Sequence, residues 1–273
     1  MNDATNEAAV GAEPANSALW TAIFETGEPR LKAMQAFHAK VPSSPRCRLC
    51  YSPFGGVGGL YYRMRGRGPA LRNPYFCNAC DQFIAAYPGG AEVTLSMVFV
   101  DVRRSTQTAS SMSATAFHDY LRGFFNATHR ALFETDGFVT EFRGDCAVGS
   151  YPPAMSGPDH AAKAVRAAQI LLGDGAPRSR DGDDVPIGIG VHTGRVFIGT
   201  ISDLADANKQ NVSILGDNAN IAALLAQSAA AGEALLSVET LQAAGRPVDP
   251  GSLASLELKG RPRPQAAVRM MAS

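Results

Sequence analysis

The sequence predicts an α+β fold: a mixed or antiparallel sheet on a ferredoxin-like core with helices on one face, preceded by a small four-cysteine metal-binding domain. Three observations predict it. From residue 91 onward, strand-length apolar runs alternate with helical stripes, as in a split β-α-β sandwich. Two of those runs lead to aspartates, Asp101 and Asp145. Upstream, four of the five cysteines form two C-x-x-C pairs.

Composition narrows the function classes. Hydrophobic residues make up 45% of the 273, enough for a core, and Lys+Arg equals Asp+Glu at 25 each. No global charge therefore points to nucleic acid or to a membrane surface. Every apolar run is interrupted long before a bilayer-spanning length. The start, Met1-Asn2-Asp3-Ala4, lacks a basic n-region and an apolar h-region, so no signal peptide is expected and the protein reads as cytoplasmic.

Residues 1–40 read as a helical arm. Leu19, Ile23, Leu31, Met34 and Phe37 recur at helical spacing, and Gly27 with Pro29 splits the segment into two short helices. Residues 41–90 form the zinc-ribbon-like module. Cys47, Cys50, Cys77 and Cys80 offer four thiolates on two tight turns, which suits tetrahedral Zn²⁺, with an iron–sulfur cluster as the alternative. The intervening loop carries Arg63, Arg65, Arg67 and Arg72 beside Tyr61 and Tyr62. It reads as a solvated loop or domain interface, with no nucleic acid expected.

Residues 91–273 form the main domain. Val93 to Val100 is a buried strand that delivers Asp101 at its exit. Phe117, Leu121, Phe124, Phe125, Thr128 and Leu132 make one helix face. Gly137 to Phe142 and Cys146 to Tyr151 read as a hairpin, Gly144 turning the chain and Asp145 opening the return. Paired strands lie about 4.8 Å apart, so both carboxylates can reach one hard cation, Mg²⁺ or Mn²⁺, carrying a polyphosphate. Pro158-Asp159 opens a second helix. Val185 to Thr200 reads as two strands around a Thr193-Gly194 turn, with His192 a packed histidine. Val212 to Leu215 is a strand running into a helix through Ala229, and short strands near 235–237, 256–258 and 266–270 complete the chain. Cys146 points to the opposite strand face from Asp145 and reads as core.

These residues resemble the catalytic domain of the class III nucleotide cyclases. Phe99-Val100-Asp101-Val102-Arg103-Arg104-Ser105-Thr106 is similar to the first metal motif of that family and Gly144-Asp145 to the second. Gly190 to Gly194, Leu215 to Ala223 and Leu258-Lys259-Gly260 match later blocks in order. The four-cysteine segment with Pro53-Phe54-Gly55-Gly56 and Asn73-Pro74 is similar to a module that precedes some bacterial members. The resemblance implies conversion of a nucleoside triphosphate to a 3′,5′-cyclic mononucleotide and pyrophosphate. It also implies two metal ions held by Asp101, the Val102 carbonyl and Asp145, and a head-to-tail homodimer with shared sites. Arg104, Ser105, Thr106 and Lys259 would bind phosphates, Asn220 would orient the ribose, and Glu141 with Ser213 would read the base.

Three departures qualify what the resemblance implies. Glu141 stands where adenylate-specific members carry lysine. A carboxylate only accepts hydrogen bonds, so it suits guanine, uracil or cytosine edges better than adenine. The base is left open: a purine by family, GTP by Glu141, or UTP or CTP as in bacterial antiphage cyclases. Ser213 donates or accepts and does not decide. Leu224 stands where active members place a transition-state arginine, and Arg104 where relatives carry glycine. Arg103, Arg104, Arg143 and Arg195 are the candidate replacement cations. A catalytically weak or silent nucleotide-binding module is the alternative reading, and a nucleic-acid-binding zinc ribbon a third.

Overall fold

In the computed structural model, residues 14–43, 45–71, 74–201 and 211–271 are described. Residues 1–13 of the expected arm, together with Arg72 and Asn73 of the cysteine module, lie outside them.

The sheet is organised around β1 (Gly90–Val102), which is paired along both edges. Its alternation splits the core. Val93, Leu95, Met97 and Phe99 face one side, and Val98, Val100 and Val102 face the other. The chain continues through α5 (Ser105–Ser111), α6 (Ala114–Glu134), β2 (Phe138–Arg143), β3 (Cys146–Tyr151), α7 (Pro153–Ser156) and α8 (His160–Leu172) to β4 (Ile187–Ile201). Strand order β2-β3-β1-β4 with antiparallel neighbours is the ferredoxin-like core expected from the sequence. β5 (Asn211–Leu215) pairs with the far end of β4, and α9 (Asp217–Ser228) follows it. β6 (Glu233–Ser237), joined in parallel to β4, leads through α10 (Val238–Ala243) to β7 (Leu253–Leu256) and β8 (Gln265–Met271).

Helices cover both faces, not one. α6 and α8 bury Leu121, Phe124, Leu132, Val165 and Leu171 on the Val98–Val100 face. The opposite face takes Ala219, Ala222 and Ala226 of α9, together with the N-terminal segment. A second correction concerns β4. Thr193-Gly194 is not a turn: one strand runs unbroken through it, still paired with β1 at Ser96 and Leu95. Gly194 is small for another reason. A Cβ there would lie 2.5 Å from Cγ of Asn218, so glycine is what lets α9 approach the strand. The Gly144 turn is as expected, with φ +60 between β2 and β3.

The arm forms two helices, α1 (Ser17–Thr21, continued by a π-helical turn, Ala22–Thr26) and α2 (Pro29–Ala39), broken at Gly27 as the sequence indicates. Its buried residues differ in part from the expected stripe. Trp20, Ile23, Phe24 and Leu31 are buried, whereas Phe37 is 63% exposed. Trp20 stacks on Phe24, and its Nε1–H donates to the Tyr87 carbonyl at 3.1 Å. Through these residues the arm, the cysteine module with helices α3 (Gly56–Met64) and α4 (Asn78–Ala86), and the sheet share one hydrophobic cluster. Among the described residues no helix is long and apolar enough to cross a membrane.

Because Trp20 sits in a core continuous with β1, Trp20→Ala should cost about 3–5 kcal/mol of the global stability. Urea unfolding followed by far-UV circular dichroism should show one displaced transition. An early, separate transition with the main midpoint unchanged would mean that the arm is an appendage.

Candidate functional site

Asp101 leaves β1 opposite Cys146, so Asp145 stands one residue along on the neighbouring strand end. The Val102 N–H donates to the Asp145 carbonyl at 3.0 Å, tying the β2–β3 turn to the end of β1. The two aspartates therefore lie on adjacent strand ends at one end of the sheet, both half-buried. Ser105, first residue of α5, donates its hydroxyl to Oδ2 of Asp145. Arg103 pairs with Asp101 and donates to the carbonyls of Gln227 (2.8 Å) and Ala229 (3.4 Å) at the end of α9. Burial pulls the Arg103 guanidinium below its ordinary value, the Asp145 charge working the other way. A carboxylate has room for about four acceptor contacts, so one such contact on each leaves oxygens for a hard cation. The donor set fits Mg²⁺ or Mn²⁺.

Arg104 adopts the left-handed conformation at φ 58, ψ 24, which favours glycine, and its side chain is exposed instead of filling the loop. Thr106 is also exposed.

Glu141 owes its position to a bulge. Phe138 pairs with Ser150 and Val139 with Gly149, but Glu141 pairs with Val148, so Thr140 is an extra residue. Strict alternation would put Glu141 on the α6–α8 face. The extra residue turns it to the face carrying Phe138, Val148, β5 and α9. There Arg143 Nε lies 2.5 Å from Oε1 of Glu141. β5 comes alongside β2, so the strands bearing Glu141 and the buried Ser213 are neighbours.

Asn220, Leu224 and Lys259 are brought together. They line a cavity of about 460 Å³ between α9 and the turn before β8, with Arg261 completing its wall. Asp101 and Asp145 do not line it. Arg103 reaches the carbonyl of Gln227, a residue that also lines this cavity, while Asn220 lies seven residues earlier on α9, about 10 Å along the helix. Of the four replacement cations suggested by the sequence, Arg103, Arg143 and Arg195 each face a carboxylate elsewhere (Asp101, Glu141 and Glu92), and none of the four lines the Leu224 cavity. Arg261, which no motif marks, does.

His192 is the packed histidine expected. Asn218 Nδ2–H donates to the Arg195 carbonyl, which turns its Oδ1 toward the ring. His192 Nε2–H then donates to Asn218 Oδ1 at 2.8 Å, and Nδ1 accepts from Ser237 Oγ at 2.8 Å. This links β4, α10's cap and the first turn of α9. Burial holds the imidazole below its ordinary value.

The four cysteines of the N-terminal module converge. All four sulfurs lie within 4.8 Å of one another and all are buried. Cys50 and Cys77 sulfurs are 3.7 Å apart, against about 3.8 Å for two thiolates on one tetrahedral Zn²⁺ at 2.3 Å. The Cys77 N–H donates to Cys47 Sγ at 3.2 Å. The cluster could hold a metal ion. Cys146 is half-buried against the apolar cluster, and burial pushes its thiol up to about 11, as suits a core residue.

A ferredoxin-like sheet with aspartates at the ends of two neighbouring strands is an arrangement found in nucleotide cyclase domains. Residues 91–266 match the family described as the adenylate and guanylate cyclase catalytic domain, and the chain belongs to that family. Among solved structures, the guanylyl cyclase Cya2 aligns with a TM-score of 0.57 at 21% identity, over 66% of this chain and 92% of that one. The adenylyl cyclase CyaB from P. aeruginosa aligns at 0.53 and 21%, over 67% and 96%. The guanylate cyclase domain of RhGC from Catenaria anguillulae, in complex with GTP, gives 0.55 and 21%, over 66% and 98%. At that identity the likeness is one of fold. An uncharacterized protein of Mycobacterium tuberculosis is 30% identical over 144 residues, 52% of this chain and 24% of its own length. A second is 29% identical over 161 residues, 57% and 28%. The chain thus spans about a quarter of the curated relatives it matches.

The buried neutral His192 predicts a pH dependence. Below about pH 6.5 the unfolded chain takes up a proton that the native ring refuses. Its contribution to stability is complete above that pH and is lost as pH falls toward the lowered native value, at up to about 1.4 kcal/mol per unit. Urea midpoints from pH 7.5 to 5 should fall less steeply for His192→Gln than for wild type. Equal slopes would mean the ring titrates alike folded and unfolded.

Proposed function

We propose that this chain is a cytoplasmic nucleotide cyclase that converts a nucleoside triphosphate to its 3′,5′-cyclic monophosphate and pyrophosphate as a head-to-tail homodimer. The organisation is an arm (1–40), a four-cysteine module (41–90) and a catalytic domain (91–273). The observation that carries the reading is the β1–β3 register, which sets Asp101 beside Asp145 within reach of the Ser105 hydroxyl. In the reaction the ribose 3′-oxygen loses its proton and bonds to the α-phosphorus, while the α-phosphorus–oxygen bond to pyrophosphate breaks. Asp101, Asp145 and the Val102 carbonyl would hold two Mg²⁺ or Mn²⁺ ions, which would lower the pKa of that hydroxyl and neutralise phosphate charge. Ser105 orients the Asp145 carboxylate, the Arg104–Thr106 loop receives phosphate oxygens, and Lys259 takes the terminal phosphates. Asn220 positions the ribose by its amide.

Neither Asp101 nor Asp145 lines the Asn220–Lys259 cavity, which supports a site completed by a second copy. Glu141 with Ser213 faces the base, and an acceptor carboxylate favours GTP or a pyrimidine triphosphate over ATP. The cysteine cluster holds Zn²⁺, its sulfur spacing matching that ion. A silent nucleotide-binding module is the second reading, favoured by the apolar Leu224 in the cavity wall. Losing a preorganised donor costs about 2.7–4 kcal/mol of transition-state stabilisation.

Purified protein with Mn²⁺ and each of ATP, GTP, CTP and UTP should give one cyclic product by mass spectrometry, abolished in Asp145→Ala. Glu141→Lys should shift the ranking toward ATP, and an unchanged ranking would remove Glu141 from the base pocket. Binding of nucleotide without product from any of the four would leave the silent module standing. Separately, elemental analysis should find one Zn per chain, lost together with several degrees of melting temperature in Cys77→Ser. Stoichiometric iron and sulfide in its place would overturn the zinc assignment.

A further inference from the structure

The cavity beside α9 contains a cation that no motif accounts for. Gly260, at φ +78, turns the chain, and the Arg261 N–H donates back to the Leu258 carbonyl at 3.0 Å. Leu258 is 3% exposed and packs with Ile221 and Leu225 of α9. One buried leucine thus pins the turn to the helix, and the residues on either side of Gly260, Lys259 and Arg261, both reach the cavity wall. Arg261 is the better fixed of the two. Its Nη1 donates to Oδ1 of Asp217, first residue of α9, while its side chain remains only 26% exposed. The Asp217 side chain is 69% exposed. Such an open ion pair is weak, so it aims the guanidinium without competing strongly against an arriving phosphate.

We propose that Arg261 is a phosphate-binding catalytic residue, aimed by Asp217, that supplies the guanidinium charge which Leu224 cannot. This rests on the cyclase reading above. When the ribose 3′-oxygen bonds to the α-phosphorus and the bond to pyrophosphate breaks, negative charge grows on the phosphate oxygens. A planar guanidinium meets two of them at once, which the point charge of Lys259 does not. Asp217, which lines the same cavity, is a positioning residue that acts through the contact of its carboxylate with Arg261.

The test separates binding from turnover. Calorimetric titration of the full chain with inorganic tripolyphosphate and Mg²⁺ needs no knowledge of the base. Arg261→Ala should weaken binding at least tenfold, with an unchanged circular dichroism spectrum. Arg263→Ala, the same charge change two residues on and outside the cavity wall, should stay within twofold. With the triphosphate that wild type cyclises, Arg261→Ala should lower kcat about 10²–10³-fold, more than it raises KM. Arg261→Lys should recover part of that loss, and Asp217→Asn should give a smaller loss than Arg261→Ala. Wild-type affinity in Arg261→Ala, an equal loss in Arg263→Ala, or no tripolyphosphate binding by wild type would each overturn the proposal. Arg261-dependent binding by a wild type that cyclises nothing would sink the cyclase reading and keep Arg261 as the phosphate ligand.

Discussion

The register of β1 is the constraint on which the rest depends. It is hydrogen-bonded on both edges, so its position relative to β3 and β4 is fixed residue by residue. Both of its faces are buried. A one-residue slip would exchange Met97 and Phe99 for Val98 and Val100 across two differently shaped cores, which neither could absorb. The same ladder that forbids the slip sets Asp101 opposite Cys146. The proximity of Asp101 and Asp145 is therefore a by-product of packing at the middle of the sheet, and needs no special device at its end.

What was legible in the sequence follows from this. Asp101 and Asp145 are each tied to a strand end by short-range pattern: an apolar run stopping at one, a glycine turn preceding the other. The ferredoxin-like core is indicated by the succession of strand-length and helical runs, and the convergence of the four cysteines by two C-x-x-C turns. The features missed depend on contacts between distant residues. Gly194 looks like a turn residue in sequence, and only the approach of Asn218 reveals that it makes room for a helix. Thr140 carries no mark of a bulge, yet it decides which face Glu141 occupies. Phe37 sits at helical spacing but is exposed, because Trp20 and Phe24 fill the interface instead. Arg261 escaped because its neighbourhood with Leu224 is made by the burial of Leu258.

Two of the places where the N-terminal segment meets the catalytic fold differ in chemistry. One is apolar, through Trp20 and Phe24. The other lies in the first cysteine turn, where the Arg48 guanidinium sits 3.5 Å from the centroid of the Phe133 ring at the end of α6. Burial draws that half-buried guanidinium down to about 10. Phe133 is followed within a few residues by Phe138, first residue of β2, the strand that carries Glu141. The first cysteine turn thus packs against the end of the helix that leads into β2.

Charge separates along α9 in a way that bears on assembly. At its end, Arg103 gathers Asp101 and the last helix carbonyls into one cluster. Near its start lie Asn220, Lys259 and Arg261 around a cavity. A triphosphate needs the carboxylate-held cations at its α-phosphate and fixed donors on its ribose and terminal oxygens together. Neither aspartate lines that cavity. Under the cyclase reading proposed above, the two ends of α9 are the two halves of a shared site, and a head-to-tail pair of copies would set the Asp101–Asp145 end of each against the Asn220–Lys259 end of the other.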